Sequence, residues 1–450
     1  MDTNSGNNAV SDSLANDNLL DNAVVNDRNP KHRTKNITTA AFVNTLRLAL
    51  SQSQLQRSTG KQPPNDQAFG SDDTGIPLAW SSHQNPLLRD LAWLLSKPSV
   101  FVPKTLGYSA FQWPANLVST GALRGAKTSE QLVTPSLDLI TTTMTASGKA
   151  PSRSDTNRLG QYYEALIAYL QQHFYPQHRC FQNVQLIANK QTLGEADFIV
   201  ETGLGKWCHL EVAIKFFLLR DDADADPKNL SHWLGPNSRD RLDKKLHHMD
   251  QQQLALLENP DNLALLNQTL RERGLDKAIE TLDVKHLLQG ALFTHLYSLT
   301  KKSNETIKDN APINDADVTH HLPLPFNAGA HAGYWIRHNE LCMLLSGTDS
   351  LKQDELRWVL LKKTEWLGGL HQNDWQSRAL GSEELITTLA NVSLPRLVLC
   401  LSPSSQFAVA GKKADESADN YSGENRHWNE FKLMITTDYW PDTRMPSRSM

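Results

Sequence analysis

Basic charge is what this chain lacks first: across 450 residues, 45 Lys and Arg stand against 49 Asp and Glu, a formal charge of −4. A global positive field, the usual footprint of tight non-specific nucleic-acid binding, is excluded, so any polyanion would be held by a local patch. Cysteine is also scarce. The four residues Cys180, Cys208, Cys342 and Cys400 show no Cys-x-x-Cys spacing, which argues against a disulfide frame or a zinc knuckle and for reduced thiols. No apolar run approaches the ~20 residues that a membrane helix requires, and no signal peptide opens the chain. A soluble cytoplasmic protein with no membrane partner is the expectation. Oligomeric state is not legible.

What is present is one stretch of strong alternation, Gly194 to Leu218. Two apolar-polar runs flank a connection holding Gly203 and Gly205, the pattern of a β-hairpin. If Glu201 pairs with Trp207, Asp197 falls opposite Glu211. Period two along the second strand sorts Leu210, Val212, Ile214, Phe216 and Leu218 to one face, and His209, Glu211, Ala213, Lys215 and Phe217 to the other. The first strand divides likewise, with Glu195, Asp197 and Ile199 against Ala196, Phe198 and Val200. Facing carboxylates repel unless a proton or a cation intervenes, and a divalent metal is the usual remedy.

The string Gly194-Glu-Ala-Asp-Phe-Ile199, a turn, and then Leu210-Glu-Val-Ala-Ile-Lys215 resembles the core of the PD-(D/E)XK, or restriction-endonuclease-like, nuclease superfamily. More narrowly it resembles an uncharacterised bacterial family within it. The resemblance covers about residues 155–297. It implies that Asp197 and Glu211, joined by Glu195, hold magnesium or manganese, and that a lysine assists the attacking water. The usual lysine position is occupied by Ala213, and the nearest lysine on that face is Lys215, roughly 6.6 Å further along the strand. A migrated lysine and a catalytically silent fold are both open.

The same resemblance organises the remainder. Residues 1–75 are polar and proline-bearing and read as a disordered extension, with one short helix over Ala40 to Leu50. Residues 76–154 read as a helical cap and linker; the cap helix starts at Asn85-Pro86 with a stripe of Leu87, Leu91 and Leu94, and Arg89 and Asp90 are expected on its solvated face. Residues 155–300 form the nuclease-like core: a helix over 155–174, a strand over 181–188, the hairpin, and a helix capped by Ser238. Glu164 on the first helix resembles a further metal-site glutamate. Lys244, Lys245 and Gln252 on the later helix suit phosphate contacts, against the plainer reading of a charged helix face.

The acidic run Asp221-Asp-Ala-Asp-Ala-Asp226 lacks the glycine and terminal glutamate of a calcium loop and reads as solvated. His320, His321, His331 and His338 share no ligand spacing and read as scattered histidines. Residues 301–450 form an additional α+β region after a polar insertion over 301–317, with Trp335, Trp358, Trp366 and Trp440 filling the core. The fold class expected is therefore α/β, a mixed central sheet with a helical N-terminal cap. The function expected is a magnesium- or manganese-dependent phosphodiesterase acting on DNA or RNA; the alternative is an inactive nuclease fold that binds nucleic acid or protein.

Overall fold

A computed structural model describes residues 84–97, 99–101, 108–111, 150–174, 178–203, 205–298, 325–327, 330–346, 356–403 and 428–441. The extension over 1–75, its short helix, most of the linker, the 301–317 insertion, His320 and His321 lie outside these residues.

Alternating strands and amphipathic helices build a mixed α/β fold around one mixed sheet. Strands β1 (Ser109–Ala110), β2 (Cys180–Ala188), β3 (Gln191–Gly203), β4 (Lys206–Leu219), β5 (Trp233–Leu234), β6 (Leu282–His295), β7 (His331–Arg337), β8 (Arg357–Leu360), β9 (Arg396–Pro403) and β10 (Trp428–Thr436) all join it. The order is β2-β3-β4-β6-β7-β10-β9-β8, with β1 added beside β6 and β5 beside β4. The strands of the 301–450 region thus continue the sheet that the hairpin begins. Helices α1 (Pro86–Ser96), α2 (Leu159–Phe174), α3 (Leu242–His248), α4 (Pro260–Glu272), α5 (His338–Ser346), α6 (Gln372–Gln376) and α7 (Ser382–Ala390) accompany it. Among the described residues no helix is long and apolar enough to cross a membrane.

The hairpin forms in the expected register, Glu201 opposite Trp207 and Phe198 opposite Leu210. Period two holds along β4. Leu210, Val212, Ile214, Phe216 and Leu218 pack with Leu91, Leu94, Tyr163, Leu166 and Leu170 of α1 and α2, while Phe217 turns to Trp233, Leu242 and Leu246 on the opposite face. A layer therefore covers each side of β4, which explains why its sequence is apolar almost throughout. Trp335, Trp358, Trp366 and Trp440 are buried as expected, and all four cysteines are free thiols.

Three expectations require correction. Arg89 and Asp90 are fully buried, not solvated. Asp90 accepts Arg153 Nε at 2.7 Å and Nη2 at 2.6 Å, the Tyr162 hydroxyl at 2.7 Å and the Gly368 N–H at 2.9 Å. Four donors from three other parts of the chain make its burial tolerable. Secondly, Ser238 does not cap a helix: it holds φ 60° in a turn closed by its N–H on the Gly235 carbonyl, and α3 starts at Leu242. Lastly, alternation in β3 slips. Ala196 shares a cluster with Ile199, whereas Phe198 and Val200 join the opposite one. Across from the slip, between the pairs Gln182 with Phe198 and Val184 with Ala196, Asn183 adopts φ 49°.

The acidic run is also less solvated than expected at one end. Asp221 accepts both Nη atoms of Arg337 at 2.8 Å, which joins the exit of β4 to the end of β7.

Candidate active site at a strand fork

The slip in β3 is where the candidate site is made. Ladder pairing between β3 and β4 begins at Phe198 and Leu210 and runs toward the turn. One residue beyond, at Asp197 and Glu211, the strands part and the side chains bridge the gap. The Asp197 N–H donates to Glu211 Oε1 at 3.2 Å, and the Val212 N–H donates to Asp197 Oδ2 at 2.9 Å. Each carboxylate takes over a backbone donor that the neighbouring strand no longer satisfies.

Glu211 is fully buried. Its Oε1 also lies 2.7 Å from His209 Nε2, and its Oε2 accepts Gln253 Nε2 at 2.7 Å. A carboxylate offers about four acceptor positions. Three are filled on Glu211, and one is left on Oε2. The Asp197 carboxyl also meets the Glu211 carboxyl directly. Burial, followed by the Glu211 charge, pushes the Asp197 carboxyl up to about 8. At neutral pH the pair therefore holds a proton.

Gln253 arrives at Glu211 through an irregularity in the backbone. After α3 the chain widens into a π turn, Met249–Gln253, where the Leu254 N–H reaches the Met249 carbonyl, and then tightens into a 3₁₀ turn, Leu254–Leu257. Such π turns re-aim side chains and occur frequently at functional sites. Lys245 Nζ donates to Gln253 Oε1 at 2.9 Å, so a chain of polar groups runs from Lys245 through Gln253 to Glu211. Burial and the charge of Lys215 hold the Lys245 ammonium below its ordinary range, against the pull of Asp197 and Glu211.

The other residues read from the sequence are placed as follows. Glu164 on α2 is partly buried, and its carboxyl is raised by burial and then by the charges of Glu195 and Glu211, which puts all three in electrostatic reach. Glu195 accepts Gln185 Nε2 at 2.9 Å. Lys215 is tied to Asp240 at 2.9 Å, off the carboxylate pair. Lys244 and Gln252 are exposed, and no hydrogen bond among the described residues joins either to Asp197 or Glu211. Gln253 bonds Glu211 directly, and Lys245 bonds Gln253.

His209 and Gln253 carry no role in the sequence reading. His209 had a usable signal, a histidine two residues from Glu211 on the same strand face. Gln253 had none, because the π turn that presents it leaves no periodic trace. His286 on β6 stands beside Glu211 in the parallel register and is buried, and burial depresses its imidazole. Among the described residues, no three His, Cys, Asp or Glu side chains form a group able to hold a metal ion on their own.

No curated protein and no solved structure matches the chain. One family model does, across residues 89–415, well over half the length and including every residue of the fork. The chain with this strand fork thus belongs to the family described as a domain of unknown function, DUF1853.

Proposed function

We propose that this chain is a metal-dependent phosphodiesterase that hydrolyses DNA or RNA, on a core built like that of the PD-(D/E)XK nucleases. The observation that carries the reading is the fork itself: Asp197 and Glu211 face one another where β3 and β4 part, and burial followed by the Glu211 charge raises the Asp197 carboxyl to about 8. Oxygen donors of this kind suit magnesium or manganese, and Asp197 with Glu211 are the residues that would hold it. When bound, the ion supplies Lewis acidity toward a phosphate oxygen and lowers the pKa of a water on it. The order of helix, strand, hairpin and following helix around the fork supports the same reading.

The chain's own residues divide the remaining work. Gln253 and His209 fix the Glu211 carboxylate, and the Val212 N–H fixes Asp197. Lys245 fills the role of the lysine absent at Ala213: it is partly buried, two hydrogen bonds from Glu211, and offsets negative charge that builds at a phosphate. Exposed Lys244 and Gln252, on the same segment, meet the nucleic-acid backbone.

A second reading, an inactive nuclease fold that binds nucleic acid, is favoured by one observation: Ala213 stands at the usual lysine position and Lys215 is held by Asp240. Incubating the purified full chain with magnesium or manganese and supercoiled, linear and branched DNA and RNA separates the two. Cleavage that disappears in Asp197→Asn supports the enzyme; binding without cleavage of any substrate supports the silent module.

A further inference from the structure

His209 is fully buried at the centre of the sheet, an unusual place for an imidazole with no ligand to serve. Its ring reaches Glu211 Oε1 through Nε2 at 2.7 Å, and a carboxylate oxygen can only accept, so Nε2–H donates. The other ring nitrogen, Nδ1, has no hydrogen-bond partner among the described residues. A buried Nδ1 left unpaired is a cost the fold carries in order to keep Nε2 on Glu211. On the opposite oxygen, Gln253 makes the matching contact, also at 2.7 Å. Donors on both oxygens fix the plane of the carboxylate and leave one acceptor position open, on Oε2.

From this geometry we propose that His209 is a positioning residue: it sets the orientation in which Glu211 meets the cation, and so the affinity of the fork for manganese or magnesium. The inference rests on the reading of Asp197 and Glu211 as metal ligands. Outer partners of metal-binding carboxylates and histidines are worth about 10–100-fold in affinity.

The test is a manganese titration of the full chain, followed by electron paramagnetic resonance, with a thermal melt of every sample. Glutamine at 209 places an amide N–H the same number of bonds from Cβ as Nε2, asparagine places it one bond short, and leucine supplies none. His209→Gln is expected to bind manganese close to wild type, and His209→Asn and His209→Leu about 10–100-fold more weakly. In a Glu211→Gln background the His209 substitutions are expected to add no further loss. Equal affinities for the Gln, Asn and Leu variants would overturn the proposal, as would an additional loss in the Glu211→Gln background. Should the Leu variant fail to fold, the Gln and Asn pair still decides. If wild type takes up no manganese, or Asp197→Asn takes up as much as wild type, the metal-site reading itself falls; if only the His209 comparison fails, that reading stands and His209 is a packing residue.

Discussion

Asp197, facing Glu211, ties the stability of this molecule to pH. Asp197 is raised from 3.8 to about 8 by burial and by the Glu211 charge. Between those values the folded chain keeps a proton that the unfolded chain has released, so this group stabilises the fold fully below about pH 4 and its contribution is lost as pH rises through about 8. Thermal melts of the wild type are expected to decline between about pH 4 and about pH 8, and Asp197→Asn, which keeps the Val212 contact without the ionisation, is expected to flatten that slope. Manganese should restore the wild type at the alkaline end, because a cation takes over from the proton. In nuclease assays Glu211→Gln is expected to cost roughly a hundredfold or more, and Glu164→Gln less, since Glu164 reaches the fork only through space. Lys245→Met should likewise reduce turnover more than Lys215→Met. At this scale the acids were legible in the sequence because counting along both strands from the pair Glu201 and Trp207 puts 197 opposite 211. Their surroundings were not: a lysine eight residues from its glutamine, with a π turn between, follows no repeat.

Regular elements were legible where one periodicity dominated. The stripes of α1 and α2 and the alternation of β4 appear in the text and in the fold alike, because burial of one face selects residues at that spacing. Breaks in regularity were hidden. Ser238 read as a cap because it precedes a polar helix, yet its φ of 60° commits it to a turn. Slippage at Asn183 and Asp197 was invisible, since it is set by pairing with a neighbouring strand. One glycine shows how tightly the elements meet. Gly290 on β6 has φ 151°, and a Cβ there would lie 1.7 Å from the Lys215 carbonyl oxygen on β4. Gly290→Ala is expected to destabilise by more than about 4 kcal/mol, or to prevent folding, as measured by denaturant unfolding. Asn259→Ala, which removes the side-chain cap on the Asp261 N–H at 2.8 Å, should cost only about 1 kcal/mol.

For the whole molecule, Asp90 joins distant parts of the chain: α1 to Arg153, to Tyr162 on α2, and to the Gly368 N–H in the segment after β8. Removing it leaves Arg153 without its carboxylate inside the protein, and Asp90→Ala is expected to cost about 3–5 kcal/mol by chemical denaturation. Sequence alone read Asp90 as solvated because its partners lie 63, 72 and 278 residues away. The order of the strands carries a practical corollary for anyone cutting the gene. Strand β10 lies between β7 and β9, so this strand bridges the sheet to its β9–β8 margin. A fragment trimmed at residue 415, where the family match ends, would lack that bridge, leave two raw strand edges in place of one closed seam, and be prone to precipitate although every residue of the fork was present.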